Sequence, residues 1–336
     1  LNGKEYAAMT TTLDDITLNG DHIIDIELEY NKPNSLFMNK IDKLWEFIDN
    51  EETEFKILNM QKKGVGEWQR IVLKAIPLFF DYLNTDRIYE EYNGSLTFRR
   101  AIELIFDGTP FNFVIGGSFI ALDWDNFGGG EAKLKSLERL LKRSGAEFKI
   151  VGNNIHFRNL IGEDTNIMYA HRLNASDIVL NVDATEYFTY ARGFGDYSDE
   201  DGVENAKLTR EYISPLANVL GKRHAPPIKD GRIKNISVMD ENLKTLVDDS
   251  LKISVEANMY MFKKQGYSEY IPEIGDRVFV TDPRIQLDEE VRVINLKIKR
   301  DWRGRILDFE ATLGTHSIVK RHQSKLSTAV DQMTNL

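Results

Sequence analysis

Between residues 251 and 261 every second position is apolar: Leu251, Ile253, Val255, Ala257, Met259 and Met261, with Lys252, Ser254, Glu256, Asn258 and Tyr260 in the gaps. Successive side chains of a strand point to opposite faces, so this stretch has one dry and one wet face and reads as an antiparallel strand. More of the same follows. Gly275-Asp276 opens a short run at 278–280, and runs at 290–300 and 306–313 flank a turn at Asp301-Trp302-Arg303-Gly304. The last third of the chain is predicted to be a β-meander, and it holds no catalytic signature. Within it, Val291 and Val293 keep one phase, while Ile294, Leu296 and Ile298 keep the other. A one-residue shift flips every side chain, which predicts a bulge or bend near Val293-Ile294 of the kind that curls a sheet into a barrel; the alternative is a strand buried on both faces.

The N-terminal stretch is also β. Asn19-Gly20 is a hairpin signal, and Ile24, Ile26, Leu28 and Tyr30 alternate after it. A helical piece is predicted at 41–48, then strands at 54–60 and 68–75 around Gly64-Val65-Gly66. The middle changes character. Phe98, Ala101, Ile102 and Ile105 mark one helix face, which Gly108 can end. A second helix at 131–143 carries Leu134, Leu137, Leu140 and Leu141 inward, with Lys142 and Arg143 near its C-terminus and Gly145 as the stop. A hairpin follows, Phe148 and Ile150 against Ile155 and Phe157, and strands resume with Ile178, Leu180 and Val182.

The chain has 336 residues, enough for two or three domains. No apolar run approaches the roughly 20 residues that cross a bilayer. With no cysteine, disulfides and thiolate metal sites are excluded. A net charge of −10 argues against specific nucleic-acid binding.

Candidate chemistry is thin. Asp123-Trp124-Asp125-Asn126-Phe127-Gly128 begins like a calcium loop, but Phe127 holds the fifth ligand position and Leu134 the twelfth. Residues 199–204, Asp-Glu-Asp-Gly-Val-Glu, lie in an acidic run at 196–204 that reads as an exposed loop. None of His22, His156, His171, His224, His316 and His322 forms a zinc-protease pair, and no nucleophile elbow is present. No catalytic, cofactor-binding or metal-binding residue is assigned.

Three segments together resemble a family: Tyr212-Ile213-Ser214-Pro215-Leu216-Ala217 with Gly221-Lys222-Arg223-His224-Ala225-Pro226-Pro227-Ile228, Thr189-Tyr190-Ala191-Arg192-Gly193-Phe194-Gly195, and Ile274-Gly275-Asp276-Arg277-Val278. They are similar to the tail-hub proteins of long-tailed phages and prophages, sometimes filed as prophage tail endopeptidases or tail-associated lysins, and to the baseplate hubs of contractile tails. The order of the middle helices and hairpin extends the resemblance from about Phe55 to Leu313.

The resemblance implies an α+β, mainly β chain with two small β-barrel, tail-tube-like domains and an inserted α+β domain. The expected boundaries are 1–76 with 177–197 for the first barrel, 77–176 for the insertion, 207–315 for the second barrel, and 316–336 for a C-terminal helix or linker. It implies a homotrimeric ring at the virion tail tip, synthesised in the bacterial host cytoplasm. The ring would close the tail tube and meet the distal tail, tape-measure and tail-tube proteins. Separately, the net charge of −10 suggests an acidic lumen through which DNA passes unbound. Longer members add lysin or carbohydrate-binding domains, which are not expected here. No endopeptidase residue carries over, so the expectation is a structural protein with no cofactor. The alternatives are a cell-wall endopeptidase, through His156, His171 or His224, and a receptor- or sugar-binding component with Trp124, Phe127 and Tyr197 as aromatic platforms.

Overall fold

The computed structural model describes residues 4–198, 202–248, 250, 252–259 and 271–314. It is an α+β protein, mainly β, with 47% strand and 19% helix. The chain forms two compact units: Leu1–Thr165 with Asn258–Arg277 and Val293–Ala311, and Asn166–Ala257 with Val278–Arg292 and Thr312–Leu336.

In the first unit, β1 (Thr10–Thr17) and β2 (His22–Glu29) make the predicted hairpin, with Thr10 opposite Leu28 and Ile16 opposite His22. Asn19 takes the left-handed conformation at φ 52° that such turns require. With β3 (Glu46–Ile48), β4 (Glu54–Val65) and β5 (Trp68–Pro77), the sheet order is β3-β4-β5-β2-β1. The outer side of β1 pairs with the far end of the chain, Thr11 opposite Asp301 and Thr17 opposite Asn295. Asn295 Nδ2 donates to Asp15 Oδ1 (2.7 Å) and Thr17 Oγ1 (3.0 Å). One face of this sheet is the core: Ile24, Ile26 and Leu28 from β2, Phe55 and Ile57 from β4, and Ile71, Leu73 and Ala75 from β5, each set at alternate positions. Among the described residues no sheet closes into a barrel. The helix predicted at 41–48 is not formed. One 3₁₀ turn, Asn34–Leu36, precedes it, Leu44 sits at φ 64°, and residues 46–48 are drawn into β3 with Phe47 opposite Phe55. Buried Asn34 donates from Nδ2 to the carbonyls of Met9 and Glu29 and accepts from Met9 N–H, tying the N-terminal segment down.

The α+β part of the same unit has α1 (Leu78–Thr85), α2 (Phe98–Phe106) and α3 (Lys133–Ser144). Thr97 caps α2 by accepting from Arg100 N–H (3.2 Å), and Gly145 ends α3 at φ 66°. The three helices pack on a sheet in which Asn154–Arg158 runs parallel to Asn112–Ile115 and antiparallel to Glu147–Val151. Helix α3 also buries Lys133 and Ser136; Lys133 Nζ reaches Asp86 Oδ2 (2.5 Å) and the carbonyl of Asp107. At 162 and 275 two backbones touch. A Cβ on Gly162, at φ 80°, would lie 2.1 Å from the carbonyl carbon of Gly275. Beside them buried Asp276 accepts from Glu163 N–H (2.8 Å) and Glu273 N–H (2.9 Å).

In the second unit the antiparallel pair Tyr190–Gly195 and Leu208–Ile213, with Ile228–Asp230 parallel to the first, is covered by helix Ile236–Asp248. Met239, Leu243 and Val247 of that helix are buried against Ala191, Leu208 and Ala225. This helix lies inside a segment expected to be a β domain, although its i, i+4, i+8 apolar spacing is that of a helix face. Two of the three segments that carry the family resemblance meet here: Thr189 Oγ1 donates to Gly221 O (2.7 Å), and Ala225 N–H to Tyr190 O (2.8 Å). The phase change in Leu287–Asp301 is seen in burial, with Val291 and Val293 buried and then Leu296 and Ile298. It falls beside the boundary between the units at Arg292/Val293. The repeat at 251–261 forms the strand Lys252–Met259, with Val255 buried; residues 251, 260 and 261, and the predicted terminal segment 316–336, lie outside the described residues.

Asp282, fully buried, caps the turn Pro283–Ile285 and accepts from Arg284 Nη2 (2.6 Å) and Nε (3.0 Å). The Arg284 guanidinium holds its carboxyl below the ordinary range. A depressed folded pKa stabilises above the unfolded value, near 4, and that contribution is lost as pH falls through the folded value. Asp282→Asn should therefore cost about 1–3 kcal/mol at pH 7 and flatten the fall in stability below about pH 4. Urea midpoints across that range would check it.

Candidate functional site

The first unit carries an open groove of about 960 Å³. Its floor is the apolar face of the sheet, Ile26, Leu28, Ile57 and Leu73. Its aromatic wall comes from the N-terminal segment and the connection into β3: Tyr6 lies 5.5 Å from Phe37 and stacks on Trp45 at 6.2 Å. At the rim the turn after Arg300 presents Trp302, with the Arg303 guanidinium 4.5 Å from its ring centroid.

One end of the groove is acidic. Residues Thr10, Thr12 and Asp14 of β1 all face inward, and Asp14 is 7% exposed. Its Oδ1 is buried without a hydrogen-bond partner; His22 Nε2 lies 3.5 Å away. Asp49 shapes the loop after β3 by accepting from Glu51 N–H (2.9 Å) and Thr53 N–H (2.8 Å) through Oδ1. Burial pushes its carboxyl up, and the charges of Asp14 and Glu51 push the same way. Glu51 is paired with Arg300 (2.8 Å), whereas among the described residues Asp14 and Asp49 have no lysine or arginine at ion-pair distance. Such a site can bind a ligand.

The residues singled out in the sequence are scattered. Asp123–Gly128 is not a loop: it belongs to strand Leu122–Gly128, paired with Glu91–Leu96, so the calcium-loop geometry is absent. Trp124 and Phe127 are core residues, 1% and 0% exposed, which corrects their reading as receptor platforms; Tyr197 is half-buried. His156 is on strand Asn154–Arg158, His171 has a buried Nδ1 without a hydrogen-bond partner, and the His224 ring lies 4.4 Å from Tyr190. His316, His322 and the core of the acidic run, 199–201, lie outside the described residues. Among the described residues no three His, Cys, Asp or Glu side chains are grouped to hold a metal ion. Among the described residues no helix is long and apolar enough to cross a membrane. The groove itself was missed; its signal is the polar alternation Thr10, Thr12, Asp14 on a strand whose partner, β2, puts Ile24, Ile26 and Leu28 in the core.

Three family models match in succession: "Tal, N-terminal tail tube TT1 domain" over residues 1–79, "Prophage endopeptidase tail domain" over 85–157, and "Prophage endopeptidase tail" over 163–314. The chain is built from prophage tail domains. The groove lies mainly in the tail-tube domain. In fold, the chain is similar to the prophage tail protein gp18 of Listeria monocytogenes, at 17% identity and a TM-score of 0.66, covering 97% of this chain and 94% of that one. A tail protein of prophage MuSo2 from Shewanella oneidensis gives 12% identity and a TM-score of 0.66, covering 93% and 96%. An Escherichia coli component of the type VI secretion system, itself described as structurally similar to the T4 tail proteins gp27 and gp5, gives 11% and 0.53, covering 93% and 74%. No curated protein matches the chain.

Proposed function

We propose that this chain is a structural hub component of a phage or prophage tail tip, forming a homotrimeric ring that closes the tail tube and anchors the distal tail, tape-measure and tail-tube proteins. The observation that carries this reading is the open sheet of the tail-tube domain. Its edge strand β3 is only Glu46–Ile48, and an edge leaves backbone groups that a neighbouring subunit can pair with. Paired in this way, the β regions would complete the two small barrels, the first from residues 1–76 with 177–197 and the second from 207–315, with 77–176 as the α+β insertion. A permanent ring of this kind should bury over about 2,000 Å² per interface. The role is one of shape rather than catalysis, and the net charge of −10 suits a lumen through which DNA slides without binding. The location that follows is the virion tail tip, after synthesis in the host cytoplasm.

Cryo-electron microscopy of purified particles tests this. Threefold density for the chain at the distal end of the tube is expected. Absence from the particle, or release of cell-wall fragments by the purified chain that is lost on mutating His156, His171 or His224, would overturn it.

A further inference from the structure

We propose that the groove of the first unit is the docking site for an extended peptide segment of a tail-assembly partner, with apolar side chains on the floor and a lysine or arginine against Asp14 and Asp49. The inference rests on the hub reading only for the source of the peptide; the groove's chemistry stands by itself.

Three observations select this occupant. The floor, Ile26, Leu28, Ile57 and Leu73, is apolar at alternate strand positions, which suits alternate side chains of an extended peptide. Two of the three cations lining the groove are already engaged, Arg300 with Glu51 and Arg303 over the ring of Trp302, and the third, Lys4, is exposed on the N-terminal segment. The acids at the inner end have no lysine or arginine partner among the described residues: Asp14 keeps a buried oxygen without a hydrogen-bond donor, with His22 Nε2 3.5 Å away, and Asp49, which accepts from the backbone N–H groups of Glu51 and Thr53, is desolvated beside it. A buried carboxylate without a cation is costly, and an incoming ammonium or guanidinium would supply both the charge and the donor. Phosphates of a nucleic acid would meet these carboxylates with like charge, and the described residues offer no metal cluster here.

The test uses the purified full chain and a short fluorescein-labelled peptide alternating leucine and arginine, read by anisotropy. A matched peptide with glutamate in place of arginine serves as comparison. Saturable binding of the arginine peptide is expected, with little for the glutamate peptide. Asp14→Asn with Asp49→Asn should weaken it about tenfold or more. Glu204→Gln with Glu241→Gln, exposed acids of the other unit, should leave it unchanged. Equal binding of both peptides, equal loss in both double variants, or no saturation would overturn the proposal. If melting shows that Asp14→Asn does not fold, Asp49→Asn alone carries the test, since its amide oxygen can still accept from Glu51 and Thr53 N–H. Absence of the chain from virions would sink the hub reading and leave this measurement intact.

Discussion

Trp124→Ala is expected to destabilise the α+β part of the first unit by about 3–5 kcal/mol, the range for deleting a fully buried large aromatic. The indole is 1% exposed, meets Phe127 edge-on at 4.9 Å, and lies under the guanidinium of Arg143 at 4.3 Å. Removing it leaves a void and strips the cation–π partner from Arg143. Trp124→Phe should cost much less, because it keeps an aromatic ring there and removes an indole N–H that is buried without a hydrogen-bond acceptor. Urea denaturation of both variants gives the comparison. Were Trp124 instead a surface platform, alanine would leave stability within about 0.5 kcal/mol.

Gly162→Val is the second large effect. Its left-handed backbone costs a β-branched residue about 1–3 kcal/mol, and pushing the Gly275 backbone aside costs about as much again. The first atom of any side chain would sit 2.1 Å from a carbonyl carbon and 2.4 Å from the Asp276 nitrogen, and backbone cannot rotate out of the way as a side chain can. Gly66→Ala separates the two causes. Gly66 has φ 60° with nothing within 4 Å of the added carbon, so only the conformational cost, about 1 kcal/mol, should be felt. Midpoints within error of each other for the two variants would show that the close approach at Gly162 has no energetic weight.

Much of the fold was readable because local rules and packing agree. The Asn19-Gly20 hairpin, helix α2 with its single apolar stripe, helix α3 with its glycine stop, and the hairpin at 147–158 all follow from period and turn chemistry. The failures share a physical origin. Residues 41–48 have helix-compatible spacing, but Phe47 gains more opposite Phe55 in the sheet. Helix Ile236–Asp248 was hidden because its neighbours are strands, although Met239, Leu243 and Val247 mark a buried face. Trp124 and Phe127 read as loop residues because Asp123–Gly128 begins like a calcium loop, whereas in a strand Asp123 and Asp125 simply point away from the face that holds Trp124. The groove depends on side chains brought together from the N-terminus, β1 and the turn near 302, and no local window contains all of them.

Asn295 and Asp15 are hydrogen-bonded across a separation of 280 residues. On a translating ribosome, at about 5–20 residues per second, the first hairpin therefore waits roughly 15–55 s for its outer neighbour to emerge. During that interval β1 is a bare margin able to accept the wrong chain, and copies made on one polysome are the nearest candidates. Production of this polypeptide should thus be sensitive to elongation speed and to the crowding of nascent copies, well before any particle is assembled.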